Sequence, residues 1–128
     1  MKRILILTVF ALIASLVIIG CTPATVARIN PDEYVSQFSD SDTEHILIDV
    51  RTRGEFASGH IAGALNIPVE EIASRLNEIP AGMPVVIYCR SGNRSATASA
   101  TLSRNDFSEI YDLGGIIGWS NAGYPITQ

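Results

Sequence analysis

VVIYCRSGNRS, residues 85 to 95, joins an apolar strand to a short polar loop and to the start of a helix. Its first four residues are apolar on both alternating faces and follow Pro84, which is typical of a buried strand in a parallel sheet. Cys89 therefore lies at the carboxyl end of that strand. Reactive groups collect at this edge of an open α/β sheet, because the loops there lead into the amino termini of helices.

Strand and helix patterns alternate on both sides of this stretch. Further strands are expected at Val26 to Ile29, Ile46 to Val50, Ala64 to Ile67 and Glu109 to Leu113. Helices are expected after Asn30, after a capping box at Thr52, from Val69 to Ile79, from a cap at Asn93 or Ser95 to Ser103, and around Trp119. The alternation predicts an α/β fold, a three-layer sandwich around a central, mostly parallel sheet.

The loop after Cys89 has the composition of a site that ionises a thiol. A free cysteine of pKa about 8.5 is only about 3% thiolate at pH 7, and amide donors, a helix amino terminus and cations lower that pKa. Arg90 and Arg94 supply positive charge, and Gly92 lets the backbone turn tightly. The composition predicts a nucleophilic Cys89 in an anion-binding cradle, whereas a free cysteine is by default a small buried hydrophobe.

Three segments of the chain resemble the rhodanese sulfurtransferase family. The Cys-x-x-Gly-x-Arg pattern, filled as CRSGNR from residue 89 to residue 94, is similar to the active loop of that family. IDVR from Ile48, GHI from Gly59 and NIP from Asn66 resemble its amino-terminal signature. LGGI from Leu113, with Trp119 and the residues up to 126, resembles its closing segment. The resemblance implies a rhodanese-like domain over residues 26–128.

The resemblance also implies an enzyme of the thiosulfate sulfurtransferase type, with Cys89 as the catalytic residue. The Cys89 thiolate would attack the outer sulfur of thiosulfate, release sulfite and hold a persulfide. A thiophilic acceptor, cyanide or another thiol, would then take the sulfur, and no cofactor is required. The implied substrate-binding positions are those of the loop: Arg90, Ser91, Gly92, Asn93, Arg94 and Ser95. Of the two arginines, Arg94 is favoured for contact with the substrate.

Two other functions stay open at this point. Phosphatases and arsenate reductases of similar fold have a loop one residue longer between the cysteine and the arginine, and the phosphatases usually carry a histidine where this chain has Tyr88. The shorter ring from Cys89 to Arg94 suits one sulfur atom better than a phosphoryl group. The other alternative is a membrane-anchored binding or sulfur-carrier module, in which replacement of Cys89 by serine leaves binding intact.

Residues 1–20 have the pattern of a secretory signal peptide. Lys2 and Arg3 precede an apolar run that ends in Gly20-Cys21, which looks like a bacterial lipobox with Cys21 as the lipidated residue. An uncleaved membrane anchor is the alternative. A helix of 17 residues is only about 25 Å long, however, whereas the hydrocarbon core of a membrane is about 30 Å thick. Residues 21–25 would form a short tether. The domain is expected in the cell envelope, outside the cytoplasm, on a membrane through lipid on Cys21.

Charge and residue counts limit the partners. The chain has 13 acidic residues, and the seven basic residues beyond Lys2 and Arg3 are all arginine. This acidic balance argues against nucleic acid and anionic lipid as partners. The expected partners are a small sulfur-containing donor and a thiophilic acceptor. If Cys21 is acylated, Cys89 has no disulfide partner in the chain. The chain has only two histidines and two cysteines, and because the two cysteines have different predicted roles, no metal site is expected.

Several polar residues near the strand ends are expected to be structural. Asp49, Arg51 and Glu55 are interpreted as groups that tie loops together by hydrogen bonds and ion pairs. His60 is also expected to be structural. His45 stands among acidic residues and is expected to be exposed, and Trp119 is expected in the core.

Overall fold

The computed structural model describes residues 24–128. The predicted signal peptide and the predicted lipidation of Cys21 lie outside the described residues, as does most of the predicted tether over residues 21–25. Within the described part, one parallel sheet has the strand order β1-β5-β4-β2-β3. The strands are β1 (Val26–Arg28), β2 (Ile46–Asp49), β3 (Leu65–Asn66), β4 (Val85–Cys89) and β5 (Ile110–Gly115).

Within residues 24–128, three α-helices lie between strands and a fourth follows β5: α1 (Pro31–Tyr34), α2 (Arg53–Ala57), α3 (Asn93–Ser103) and α4 (Ile116–Asn121). Asn30 caps α1 and Thr52 caps α2, each in a reciprocal capping box with a glutamate three residues later. A π-helical turn, Val35–Ser39, extends α1. None of the helices in the described range combines the length and apolarity needed to cross a membrane.

The sheet is covered on both faces, as a parallel sheet requires. On one face, Ile87 and Cys89 of β4 pack with residues of α3, namely Ala98 and Leu102. On the other face, Val86 and Tyr88 pack in a cluster that also contains Phe38 and Trp119. All five residues of β4 are at most 1% exposed, so β4 is the buried centre of the domain. The predicted three-layer α/β sandwich is confirmed, and so is the core position of Trp119.

The prediction of one α-helix from Val69 to Ile79 is wrong. The segment forms two 3₁₀ turns, Ile72–Ser74 and Leu76–Glu78, separated by Arg75 with φ −121° and ψ 20°. Its hydrogen bonds join residues three apart. A 3₁₀ turn rises about 2.0 Å per residue, compared with about 1.5 Å in an α-helix. The more extended path carries both Ile72 and Ile79 onto the core, where they are 1% and 4% exposed.

The expected side-chain cap of α3 at Asn93 or Ser95 is also wrong. Gly92 occupies the cap position with φ 112°, a left-handed conformation that glycine adopts without strain, and no side chain caps the helix. The Gly92 N–H donates to the sulfur of Cys89, and the backbone amide of Ser95, in the first turn of α3, also faces that sulfur. The sulfur takes the place of the capping side chain.

His45 is half-buried and not exposed as expected. Its Nε2 atom lies 2.9 Å from the Tyr34 hydroxyl oxygen, and its ring centroid lies 4.9 Å from that of Phe38. The His45 ring therefore packs against Tyr34 and Phe38, which belong to the aromatic cluster on the α4 face of the sheet. Sequence neighbours indicated an exposed position, but contacts with residues far along the chain determine its burial.

Candidate active site

Cys89 ends the central strand, and its side chain is almost completely buried, with 1% exposure. Across the sheet it pairs with Gly115 of β5. An irregularity beside Tyr88 leaves Leu113 of β5 as an extra residue, so that Ile87 pairs with Asp112 and Tyr88 with Gly114. Such bulges change the direction of a strand beside a site. Here the bulge brings the end of β5 against the loop that follows Cys89.

The sulfur of Cys89 has backbone amides around it. The Gly92 N–H donates a hydrogen bond to the sulfur, with 3.0 Å between nitrogen and sulfur. Burial raises the pKa of the thiol, but the amides of Ser95, Gly92 and Ser91 together outweigh it, so the pKa of Cys89 lies below its ordinary value. The Ser95 hydroxyl also lowers this pKa, although in this structure its proton is donated to the Gly92 carbonyl oxygen, 3.0 Å away. The arrangement favours a thiolate.

The turn from β5 into α4 packs against the loop. The Ile117 N–H donates a hydrogen bond to the Arg90 carbonyl oxygen at 3.3 Å. Gly115 lies so close that a Cβ atom there would stand 2.2 Å from the same oxygen and 2.7 Å from the Cα atom of Ser91. The backbone of Gly115 is extended, with φ −132°, so the requirement for glycine comes from close packing and not from its dihedral angles. The loop is therefore packed tightly against this turn.

Arg94 points toward Glu55 of α2. Its two terminal nitrogens donate to the two carboxylate oxygens at 2.8 and 2.9 Å. The hydrogen bond from Arg94 is the largest of the effects that lower the pKa of Glu55 to about 2, and the carboxylate in turn raises the pKa of Arg94. One oxygen of Glu55 also accepts the Thr52 N–H at 2.9 Å. A single carboxylate thus closes the capping box of α2 and fixes the guanidinium of the cradle.

Sequence reasoning assigned Glu55 a structural role and missed its contact with the cradle. The T-x-x-E spacing explained the carboxylate through helix capping alone, and no sequence signal joined residues 39 positions apart.

The other predicted substrate-binding residues of the loop fall into a buried group and an exposed group. Gly92 and Ser95 are buried under the sulfur, whereas Arg90, Ser91 and Asn93 are exposed at the rim.

A buried ion pair supports the end of β2 beside the site. Arg51 donates to both carboxylate oxygens of Asp49, at 2.7 to 3.1 Å, and to the Gly59 carbonyl oxygen at 2.7 Å. Asp49 is 0% exposed and Arg51 is 6% exposed. Both residues are occupied by these contacts, which agrees with their expected structural role. The neighbouring Tyr88 hydroxyl accepts the N–H of Ile61 at 3.0 Å.

Two clefts lie near the cradle. The α1 cleft, about 390 Å³, is lined by Ser91 and Gly92 together with polar residues such as Arg28, Glu33 and Asp112. The α4 cleft, about 310 Å³, lies between α2 and α4 and is lined by Glu55, Ile116, Ile117 and Ile126 among others. Both are at the lower end of the range of ligand pockets, about 300–1,000 Å³. The α1 cleft contacts the loop directly, whereas the α4 cleft is connected to it through Glu55, the partner of Arg94.

The remaining candidates do not form a site with Cys89. The His60 ring stacks on Phe56 at 3.8 Å between centroids, and its Nδ1 atom lies 3.0 Å from the Phe56 carbonyl oxygen. Its structural role agrees with the sequence interpretation. Between residues 24 and 128, no three acidic, cysteine or histidine side chains are grouped as metal ligands would be.

Comparisons with known proteins add an independent line of evidence. A family model described as a rhodanese-like domain matches residues 30–122. A protein named sulfurtransferase from Allochromatium vinosum is 47% identical over 89 residues, which cover 68% of this chain and 83% of that protein. Thiosulfate sulfurtransferase GlpE of Pseudomonas aeruginosa is 32% identical over 102 residues, 79% of this chain and 89% of GlpE. The crystal structure of a rhodanese-related protein from Thermoplasma volcanium is 29% identical, with a TM-score of 0.69, and the match covers 79% of this chain and 97% of that one.

Proposed function

The chain belongs to the rhodanese-like domain family, and from that premise we propose that it is a sulfurtransferase that works through a persulfide on Cys89. The donor is thiosulfate or a similar sulfane compound, and the acceptor is a thiophile such as cyanide or a thiol. One observation carries the proposal. The buried sulfur of Cys89 accepts a backbone N–H at 3.0 Å, and amide groups lower its pKa despite burial. A group in this environment is a nucleophile without a separate base.

The first half-reaction loads the enzyme. The Cys89 thiolate attacks the outer sulfur of thiosulfate, so a bond forms between the two sulfurs. The sulfur–sulfur bond of thiosulfate breaks, and its electron pair leaves with sulfite. The amides of Gly92 and Ser95 are already oriented, and they stabilise negative charge on the attacking and transferred sulfur at no cost of reorganisation.

The second half-reaction unloads it. A nucleophilic acceptor attacks the outer sulfur of the persulfide and forms a bond to it. The bond between that sulfur and Cys89 breaks, and its electron pair returns to Cys89 as the thiolate. Cyanide gives thiocyanate by this route, and a thiol gives a new persulfide. The same amides that favour the thiolate make Cys89 a good leaving group in this step.

The two arginines have different tasks in this proposal. Arg94 is held by Glu55 at 2.8 Å, and its charge is partly balanced there, so it serves as a fixed wall of the cradle. Arg90 is exposed at the rim, where it can meet the incoming dianion. Exposed cations raise the rate at which anionic substrates arrive, and salt screens this effect. Arg90 therefore increases the rate at which the anionic donor binds, and Arg94 helps to align the bound donor.

Steady-state kinetics with thiosulfate and cyanide test the proposed function. We expect thiocyanate formation with parallel double-reciprocal plots, because sulfite leaves before cyanide reacts. The Cys89→Ser variant keeps the fold but loses turnover. Turnover by Cys89→Ser equal to that of the wild type contradicts the persulfide route, and hydrolysis of an aryl phosphate in place of sulfur transfer indicates a phosphatase.

We also propose that lipid on Cys21 anchors the protein in the cell envelope, with residues 26–128 outside the cytoplasm. The support comes from Lys2 and Arg3, the apolar run and the Gly20-Cys21 ending. Growth of a bacterial host with an alkyne-labelled fatty acid should label the wild type and Cys89→Ser. It should not label Cys21→Ser. Label retained by Cys21→Ser contradicts the proposed site of the anchor.

A further inference from the structure

Exposed apolar side chains are concentrated beside the cradle. Among the described residues, the large hydrophobic side chains with high exposure are Leu65, Ile117 and Ile126. Ile117 is 45% exposed and Ile126 is 50% exposed, and both line the α4 cleft. Leu65 is on the edge strand β3 and does not line that cleft. Two isoleucines facing one cleft form a surface that a partner with an apolar group can cover.

Two lining residues of the α4 cleft connect it to the reactive loop. Its lining residue Ile116 directly follows Gly115, which pairs with Cys89 across the sheet. Its lining residue Glu55 holds Arg94 of the cradle at 2.8 Å. Because both links are a single contact long, we expect a molecule in the cleft to lie beside the position from which sulfur leaves Cys89.

Among residues 24–128, those that line the cleft present no unbalanced charge. Its two charged lining residues are already paired, Arg51 with Asp49 at 2.7 Å and Glu55 with Arg94 at 2.8 Å. The other polar lining groups are the neutral side chains Ser58, Ser120 and Asn121. An anionic or cationic group placed here would lose water without gaining an opposite charge. The occupant should be uncharged, apolar at its centre and able to form hydrogen bonds at its edge.

We propose that the α4 cleft binds the sulfur acceptor, and that this acceptor is a cysteine of a polypeptide with an uncharged, apolar neighbouring residue. The neighbour's side chain packs against Ile117 and Ile126, and the peptide groups bond to the polar edge. Cyanide is too small to cover a cleft of about 310 Å³, whereas a peptide segment is large enough. The inference rests on the proposed function and identifies the acceptor class for the same site.

The proposed reaction is the second half-reaction, with the thiolate of a polypeptide cysteine as the nucleophile. The thiolate of the acceptor cysteine attacks the outer sulfur of the Cys89 persulfide. A sulfur–sulfur bond forms on the acceptor, and the bond to Cys89 breaks with return of its electron pair to Cys89. The acceptor leaves as a persulfide, and no external oxidant or reductant takes part.

Two short peptides of equal charge provide the test: N-acetyl-Cys-Leu-amide and N-acetyl-Cys-Ser-amide. The protein is loaded with thiosulfate, freed of excess donor and mixed with each peptide, and the loss of persulfide is followed by mass spectrometry. Wild type should react about tenfold faster with the leucine peptide, because burial of that side chain favours its approach. Ile126→Ser should lose the preference, yet react with cyanide at the wild-type rate.

Further variants make the result specific to the cleft. Ile117→Ser should also lose the preference, whereas Leu65→Ser removes an exposed apolar side chain elsewhere and should keep it. Equal rates for the two peptides in wild type, or a preference retained by both Ile117→Ser and Ile126→Ser, overturn the inference while the proposed function stands. A protein that takes up no sulfur from any donor refutes the proposed function and this inference with it.

Discussion

Gly115→Ala should disable the cradle from outside the loop. The new Cβ atom would stand 2.2 Å from the Arg90 carbonyl oxygen, 2.6 Å from its carbonyl carbon and 2.7 Å from the Cα atom of Ser91. All three are backbone atoms, so no side chain can rotate away. Contacts of real Cβ atoms are longer than 3.0 Å, so the loop must retreat by about 1 Å. That distance is enough to separate the loop amides from the sulfur of Cys89.

The magnitude follows from this displacement. A misplacement of about 1 Å in a catalytic group costs about 100-fold in rate, and overpacking costs about 1–3 kcal/mol of stability. We therefore expect kcat/KM for thiosulfate to fall about 100-fold in Gly115→Ala. The pKa of Cys89 should rise toward its ordinary value, since the amides that lower it have moved away.

The assay pairs turnover with thiol titration. Thiocyanate formation gives kcat/KM, and the pH dependence of iodoacetamide alkylation gives the pKa of Cys89. Gly118→Ala is the matched control, because a Cβ atom at Gly118 has no atom within 4 Å outside its own helix. Gly118→Ala should retain activity and a low thiol pKa. If Gly115→Ala is folded and matches Gly118→Ala in both measurements, the reasoning from close packing is refuted.

Three further predictions concern ionisation and packing. Alkylation of wild-type Cys89 should have a lower pH midpoint than alkylation of the same cysteine in the urea-unfolded protein, and a midpoint that is equal or higher contradicts the amide effect. The pKa of Glu55 is about 2 in the folded protein, against an ordinary 4.5, so its pair with Arg94 stabilises the fold above about pH 4.5 and is lost as the pH falls toward 2. Urea unfolding across that range should show a smaller pH-dependent fall for Glu55→Gln, by at most about 1 kcal/mol because both side chains are about 30% exposed, and an identical fall contradicts the pairing. Tyr88→Phe leaves the buried N–H of Ile61 without its acceptor and should lower the unfolding free energy by about 1–3 kcal/mol, measured by urea unfolding, with thiocyanate formation retained; unchanged stability contradicts this account.

Local patterns predicted the elements that position the site. The apolar run before Cys89 indicated a doubly covered strand, and β4 is the buried centre of the sheet. The spacings at Asn30 and Thr52 indicated helix starts, and both capping boxes are present. These features depend on neighbours within a few residues, which a sequence displays directly.

Features that depend on distant residues were harder to predict. The apolar spacing from Val69 to Ile79 fits an α-helix, but Ile72 and Ile79 reach the core from two 3₁₀ turns. The contact of Glu55 with Arg94 and the burial of His45 depend on tertiary contacts that no local sequence pattern displays. In each case the local pattern was compatible with more than one partner, and the tertiary structure selected one.

The mass of Cys89 after exposure to thiosulfate is the most direct measurement. The protein is incubated with thiosulfate and digested without reductant, and the mass of the peptide that contains Cys89 is measured by mass spectrometry. We predict a gain of about 32 Da, one sulfur atom, with release of one equivalent of sulfite, and loss of that gain on addition of cyanide. A folded protein whose Cys89 peptide keeps its original mass, with no sulfite released, contradicts sulfur transfer through this residue.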